Sequence, residues 1–234
     1  MFSDSDANKL KGVVEDVEGW LTEHEATFLY NSARTAKRGE VVEIGSWKGR
    51  STICLALGAE KIGKKVYAVD RHRGDESCGF ENTLPAFKKN IKKFGVSDVV
   101  VPVVMKSEDA AVAWAKKRKP IGLLWIDASH DYMDVKNDFT MWIEYVSHGG
   151  VVALHDTFFR DGPKRVVDEF IFRGNFAYIG FVDEITYAIK VMNLTKTQKL
   201  LNLYKLLDRD FILARRKYSP KRVAEQSIKR FKLK

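Results

Sequence analysis

Short apolar runs alternate with helical stripes along most of this chain. Val41 to Ile44, Val66 to Asp70, Val99 to Met105, Ile121 to Asp127 and Val151 to His155 read as short strands, mostly buried on both faces. Between them, apolar residues recur at helical spacing: Ile53, Leu57 and Ile62, then Leu84, Phe87, Ile91 and Phe94, then Val135, Phe139, Trp142 and Val146, then Val166, Val167 and Phe170. A short helix from Ser107 completes the series. Phe176 to Val182 and Ile185 to Val191 are two more strands joined only by Asp183-Glu184, so that pair must be antiparallel. Five β-α repeats and a terminal hairpin predict a Rossmann-like α/β fold: a seven-stranded, mostly parallel sheet with one antiparallel strand and helices on both faces.

Punctuation refines this outline. Residues 7 to 36 read as helix broken near Gly19, with Thr22 and Glu25 forming a capping box that starts a second helix. Pro102 cannot donate to a ladder, so its strand belongs at the sheet edge. Gly149-Gly150 is expected to turn the chain into the strand that follows. The result is a helical collar over residues 1–36, a ligand-binding domain over 37–194 and a tail over 195–234. In the tail, Leu200, Leu203, Tyr204, Leu207 and Phe211 form an apolar stripe opposite Lys199, Lys205, Arg209 and Arg215-Arg216. Packing of that stripe on the core or on a partner subunit is one reading; contact with an acidic membrane surface or carrier is the other.

Charge sharpens the picture of the tail. The 234 residues carry a net charge of +9, yet residues 195–234 hold 13 Lys and Arg against 3 Asp and Glu, leaving 27 against 28 in residues 1–194. A neutral core argues against a nucleic-acid surface. No run approaches the roughly 18 apolar residues of a membrane span, and the polar, acidic start from Met1 to Leu10 lacks the layout of a secretory signal, so a cytoplasmic protein is expected. Cys54 and Cys78 suit neither a disulfide framework nor a metal site.

Two constellations carry candidate chemistry. The first is Glu43-Ile44-Gly45-Ser46-Trp47-Lys48-Gly49-Arg50-Ser51-Thr52, with Asp70 ending the next strand. A P-loop needs four residues between its glycines and a Lys before Ser or Thr; here three residues intervene and Arg50 precedes Ser51. The dinucleotide fingerprint fails because Trp47 stands where a glycine is required. What remains is a cradle for a nucleoside with a ribose and a charged amino-acid end but no pyrophosphate, Asp70 offering its carboxylate to ribose hydroxyls. The second constellation is Asp127, His130, His155 and Asp156, at the ends of neighbouring parallel strands. Either a divalent ion or a histidine base there would help an alcohol lose its proton.

Together with Trp125-Ile126-Asp127-Ala128-Ser129-His130-Asp131-Tyr132 and Gly149-Gly150-Val151-Val152-Ala153-Leu154-His155-Asp156, these motifs resemble the class I S-adenosylmethionine-dependent methyltransferases over roughly residues 20 to 191. The small-molecule O-methyltransferases of the macrocin, cephamycin and novobiocin pathways are the nearest in pattern, catechol-type enzymes more distant. The resemblance implies S-adenosylmethionine as cofactor, with Gly45 and Gly49 at its methionine end, Asp70 and Arg71-His72 at the ribose and Lys106-Ser107-Glu108 at the adenine. Glu43, Ser46, Ser51 and Asp127 are carried over with the same pocket. It also implies a magnesium site at Asp127 and an acidic pair after the fifth strand. Here His155 replaces the first acid of that pair, so a site of Asp127, His155 and Asp156 leaves magnesium, manganese, another ion or none open.

The expected activity is methyl transfer to a hydroxyl oxygen of a small molecule, a sugar or glycoside being the first guess, with Asp127, His130, His155 and Asp156 as the catalytic group. Transfer to nitrogen or RNA would call for an Asn-Pro-Pro-Tyr-like segment where Ile126-Asp127-Ala128-Ser129 stands. A non-catalytic cofactor-binding protein of the same fold is the remaining alternative, against which these four side chains argue. The acceptor and the oligomeric state are not encoded in any motif, since specificity lies in loops such as Arg71 to Glu81.

Overall fold

The computed structural model describes residues 3–73 and 81–217. Two N-terminal helices, α1 (Asp4–Asp16) and α2 (Glu23–Thr35), precede β1 (Glu40–Ile44), α3 (Arg50–Glu60), β2 (Val66–Val69), α4 (Leu84–Lys93), β3 (Val100–Val103) and α5 (Ser107–Lys117). Then come β4 (Ile121–Ile126), α6 (Tyr132–Trp142), β5 (Val146–Leu154), α7 (Asp161–Val166), β6 (Phe176–Val182), β7 (Ile185–Lys190) and α8 (Lys196–Lys217). A π-turn, Val167–Ile171, extends α7.

The seven strands run in the order β3-β2-β1-β4-β5-β7-β6. All pairs are parallel except those of β7, which lies antiparallel to both β5 and β6. The expected architecture therefore holds, including the edge position of the strand with Pro102. Chain order reverses between β1 and β4, and this opens a crevice at the carboxyl ends where ligands of such sheets sit.

Alternation along each strand feeds two cores. Val41, Leu123, Trp125 and Ala153 face α1, α2, α3 and α4, while Val42, Ile44, Leu124, Ile126 and Leu154 face α5, α6 and α7. Both central strands, β1 and β4, are buried on both sides, which is why they are largely apolar, Glu43 being the buried exception in β1.

Two expectations need correction. Gly149 and Gly150 do not turn the chain; they lie within β5, where its register against β4 slips between the Ile121–Val146 and Leu123–Val151 pairs. Gly149 takes φ +82° there, so the glycines serve an irregularity in a longer strand. The second concerns the tail. α8 does not lay its apolar stripe on the core: Leu200, Leu203, Tyr204, Leu207 and Phe211 are all more than half exposed, and Asn202 and Arg209 are buried instead. Arg209 forms an ion pair with Asp168 at 2.5 Å, which fixes the helix by its polar side.

The collar sits on α3 at backbone distance. A Cβ at Gly58 would lie 2.1 Å from the Tyr30 carbonyl oxygen, so α2 and α3 can approach this closely only over a glycine. Gly58→Ala should destabilise the protein by about 1–3 kcal/mol through overpacking. Chemical denaturation checks this; an unchanged midpoint would mean that the close approach is not maintained in solution.

Candidate functional site

The crevice is a cavity of about 750 Å³ that runs from the Gly45 turn past Asp70 to Ser107 and across to Asp127, His130, His155 and Asp156. Its floor is a set of strand ends held in unusual backbone. After β1, Gly45 takes φ +89° and Gly49 φ +91°, with Trp47 at +42° between them. A Cβ at Gly45 would sit 2.3 Å from the Asp127 carbonyl oxygen, so this glycine is required both by its torsion and by the neighbouring strand end.

Glu43, at the end of β1, is fully buried and does not line the cavity. Its two oxygens accept from Ser51 Oγ and Thr52 Oγ1, each at 2.5 Å, tying the strand to the first turn of α3. Burial pushes its carboxyl up to about 8, with Asp127 and Asp70 adding to the rise against the two hydroxyl donors. It supports the cradle from beneath, which differs from its expected place beside the cofactor. Ser51 reaches the wall, but its hydroxyl is committed to Glu43.

Asp70 gathers the turn together. Its Oδ2 accepts the Ser46 and Trp47 backbone N–H groups at 2.9 and 2.8 Å, and its Oδ1 accepts the His72 N–H at 2.6 Å. A carboxylate offers about four lone-pair sites, so one further donor can be taken without rearrangement. Ser46 Oγ and Trp47 Nε1 are buried with no hydrogen-bond partner, and both residues line the cavity. These orphaned groups fit a polar ligand lying along the Gly45–Gly49 turn. Arg71, Ser107 and Glu108 continue the same wall. His72 turns away, its Nδ1 2.9 Å from Thr83 Oγ1 and its ring buried, which holds its imidazole below the ordinary value.

Across the rim, one residue that sequence reading assigned only to a helix cap becomes central. Glu25 is 1% exposed; besides closing its capping box with Thr22, its Oε1 lies 3.2 Å from His155 Nε2 and accepts the Glu184 N–H at 2.9 Å. His155 Nδ1 faces Asp127 Oδ1 at 3.2 Å on the other side. Burial alone would lower the His155 imidazole, but the carboxylates of Asp127 and Glu25 overrule it and push it up to about 11. The signal that could have found Glu25 was its place in the collar opposite a strand-end histidine, invisible without the fold.

His130 and Asp156 form a separate pair. His130 Nε2 lies 2.6 Å from Asp156 Oδ2, and both open onto the cavity. Asp156 adopts φ +56°, which swings its carboxylate off the line of β5 toward His130. Although burial works the other way, the hydrogen bond from His130, together with His155 and Arg160, holds the Asp156 carboxyl below its usual range. With Nε2–H directed at Asp156, Nδ1 of His130 keeps its lone pair and can take a proton from a bound molecule.

Asp127, His155 and Asp156 offer ligand atoms that all lie within 4.8 Å of one another. The donors fit an ion that accepts mixed nitrogen and oxygen ligation, but it would have to take the place of the proton on His155 Nδ1. Glu25 would then hold Nε2–H, the orientation that metal-bound histidines use. Among the other expected residues, Trp125 and Trp142 are core, whereas Trp47 lines the cavity. His24 is exposed beside Asp183 at 3.5 Å. Cys54 is buried and its thiol is pushed up to about 12, hence unreactive, while Cys78 lies outside the described residues.

Comparison with known proteins agrees with this geometry. Residues 42–157 match the family model described as a methyltransferase domain. The uncharacterized protein R132 of Acanthamoeba polyphaga mimivirus is 31% identical over 155 residues, 63% of this chain and 66% of its own. The chain spans between 13% and 66% of the length of such curated relatives. Among solved structures, the O-methyltransferase NovP superposes with a TM-score of 0.62 at 17% identity, over 80% of this chain and 97% of its own. An O-methyltransferase from Bacillus cereus, in complex with SAH, gives 0.59 at 17% identity, over 80% and 92%. At these identities the superpositions speak for the fold.

The two carboxylates around His155 make a prediction about ions. Folded His155 is protonated up to about pH 11, and the charged ring contributes stability that is complete below the unfolded value of about 6.5 and lost as pH rises through about 11. An ion that ligates Nδ1 must displace that proton, so manganese affinity should tighten with rising pH, by up to about tenfold per unit. Isothermal titration across a pH series checks this; an affinity independent of pH would exclude His155 as a ligand.

Proposed function

We propose that this chain, whose residues 42–157 match the model of a methyltransferase domain, transfers a methyl group from S-adenosylmethionine to a hydroxyl oxygen of a small molecule. One observation carries the reading: the glycine turn with its orphaned polar groups and the His130–Asp156 pair open onto the same cavity. The cradle would hold the methionine end along Gly45 to Gly49 and the ribose at Asp70, leaving Ser107 and Glu108 for the base.

Bound there, S-adenosylmethionine would supply an electrophilic methyl group to the acceptor oxygen, its sulfonium becoming a neutral thioether. The acceptor's proton passes to His130 Nδ1. Asp156 orients the ring through Nε2 and stabilises the imidazolium that results. His155 is unsuited to that task, being buried, already charged and held on both nitrogens. Its contribution is to fix Asp127 at the cavity wall. Should a divalent ion bind at Asp127, His155 and Asp156, it would lower the pKa of a coordinated acceptor hydroxyl.

The preference for a sugar or glycoside rests on Trp20. This collar residue is 71% exposed, lines the cavity and stacks on Trp47 with ring centroids 4.6 Å apart. An open aromatic face next to polar groups such as Asp134 and Arg160 suits a molecule with an apolar C–H face and hydroxyl edges.

S-adenosylhomocysteine should raise the melting temperature of the intact protein, and His130→Ala should keep that shift while lowering kcat by about 10²–10⁴-fold. Absence of any shift in the wild type would remove the cofactor, and full turnover in the variant would remove the base. For the acceptor, Trp20→Ala should raise KM for a methylated glycoside with little change in kcat. An unaltered KM would show that the ring does not touch the acceptor.

A further inference from the structure

α8 is amphipathic, and it is mounted with its polar side inward. Asn202 donates from Nδ2 to the Phe176 carbonyl at 2.6 Å. Arg209, 2% exposed, pairs with Asp168 at 2.5 Å and places its guanidinium 4.9 Å from the Phe172 ring centroid. These contacts fix the rotation of the helix about its axis, because turning it would strand the buried Arg209 charge away from Asp168.

The opposite side is consequently presented outward. Leu200, Leu203, Tyr204, Leu207 and Phe211 follow one another at helical spacing and are all more than half exposed. At about 1.5 Å per residue they form a continuous apolar strip about 16 Å long. A strip of this size on a soluble surface marks a contact. No helix among the described residues is long and apolar enough to cross a membrane, so the strip can only lie along a surface.

Charge decides which surface. Residues 195–234 carry 13 Lys and Arg against 3 Asp and Glu, whereas the remainder of the chain is close to neutral. A second copy of this chain would bring an equally cationic tail against the first and be repelled. An anionic surface is complementary, and an apolar strip combined with cationic residues is the combination that seats a helix at a lipid interface. We propose that α8 lies in the interfacial layer of an anionic lipid bilayer, with this strip inserted, and so holds the domain at the membrane surface.

The test uses the full-length protein and sedimentation with vesicles of phosphatidylcholine alone or with phosphatidylserine. Binding to the phosphatidylserine vesicles, weakened by salt and reduced at least about tenfold in a Leu207→Glu/Phe211→Glu variant, is the expected result. Both positions are more than half exposed, so the variant should keep its circular dichroism and its melting temperature. A Lys199→Glu/Arg215→Glu variant should also release the protein and separates the charge contribution from the apolar one. Failure to bind either vesicle would overturn the proposal, as would undiminished binding by the apolar variant. A wild-type dimer in sedimentation equilibrium that this same variant dissociates would equally overturn it, in favour of self-association.

Discussion

A buried histidine held between two carboxylates is the constraint on which the geometry of this molecule turns. His155 reaches Asp127 with one ring nitrogen and Glu25 with the other, at 3.2 Å each, with almost no exposure to water. Taking those charges out of solvent is costly, and removing one partner would leave an uncompensated charge worth about 3–5 kcal/mol. The chain of contacts therefore works as a joint. Glu25 belongs to the collar and Asp127 to the central strand end, so the ring between them sets where the collar meets the sheet. Trp20, five residues before Glu25, takes its place at the cavity mouth from that joint.

The other acids at the strand ends share this double character. Glu43 supports the Gly45 turn from beneath through Ser51 and Thr52, and Asp70 draws the same turn inward through the Ser46 and Trp47 amides. Two carboxylates shape a single loop, Glu43 from below and Asp70 from the adjacent strand. Glu43 illustrates how burial and chemistry part: desolvation pushes its carboxyl up to about 8, yet it lies behind the cavity wall. A perturbed acid beside the cavity is here a structural strut.

Much of this was legible in the residues. The alternation of apolar runs and helical stripes gave strand count, direction and the edge position of β3, because each strand's burial is written in its own composition. The grouping of Asp127, His130, His155 and Asp156 was also readable, since neighbouring parallel strands bring such ends together, whereas the pairing of His130 with Asp156 was not. Glu25 was not. It lies 130 residues from His155, and its local pattern is fully explained by a helix cap. The orientation of α8 was hidden for a related reason: periodicity shows that a helix has two faces, but only the Asp168 partner of Arg209 shows which face is inward. Gly149 and Gly150 likewise signalled irregular backbone without revealing that the strand continues through it.

The last hairpin has a consequence for how the chain is made. The connection between β6 and β7 grips the collar: Thr22 Oγ1 donates to Asp183 at 2.6 Å and the Glu184 amide donates to Glu25, across separations of 161 and 159 residues. On a ribosome that emits about 5–20 residues each second, the collar must wait about 10–30 s for its clasp to appear. During that interval α1 and α2 can pack on α3, but Glu25 has neither His155 nor Glu184. The rim that bears Glu25 and His155 therefore closes only once the hairpin of β6 and β7 has followed the rest of the sheet. The order of translation thus places the joint between collar and sheet after the sheet that supports it.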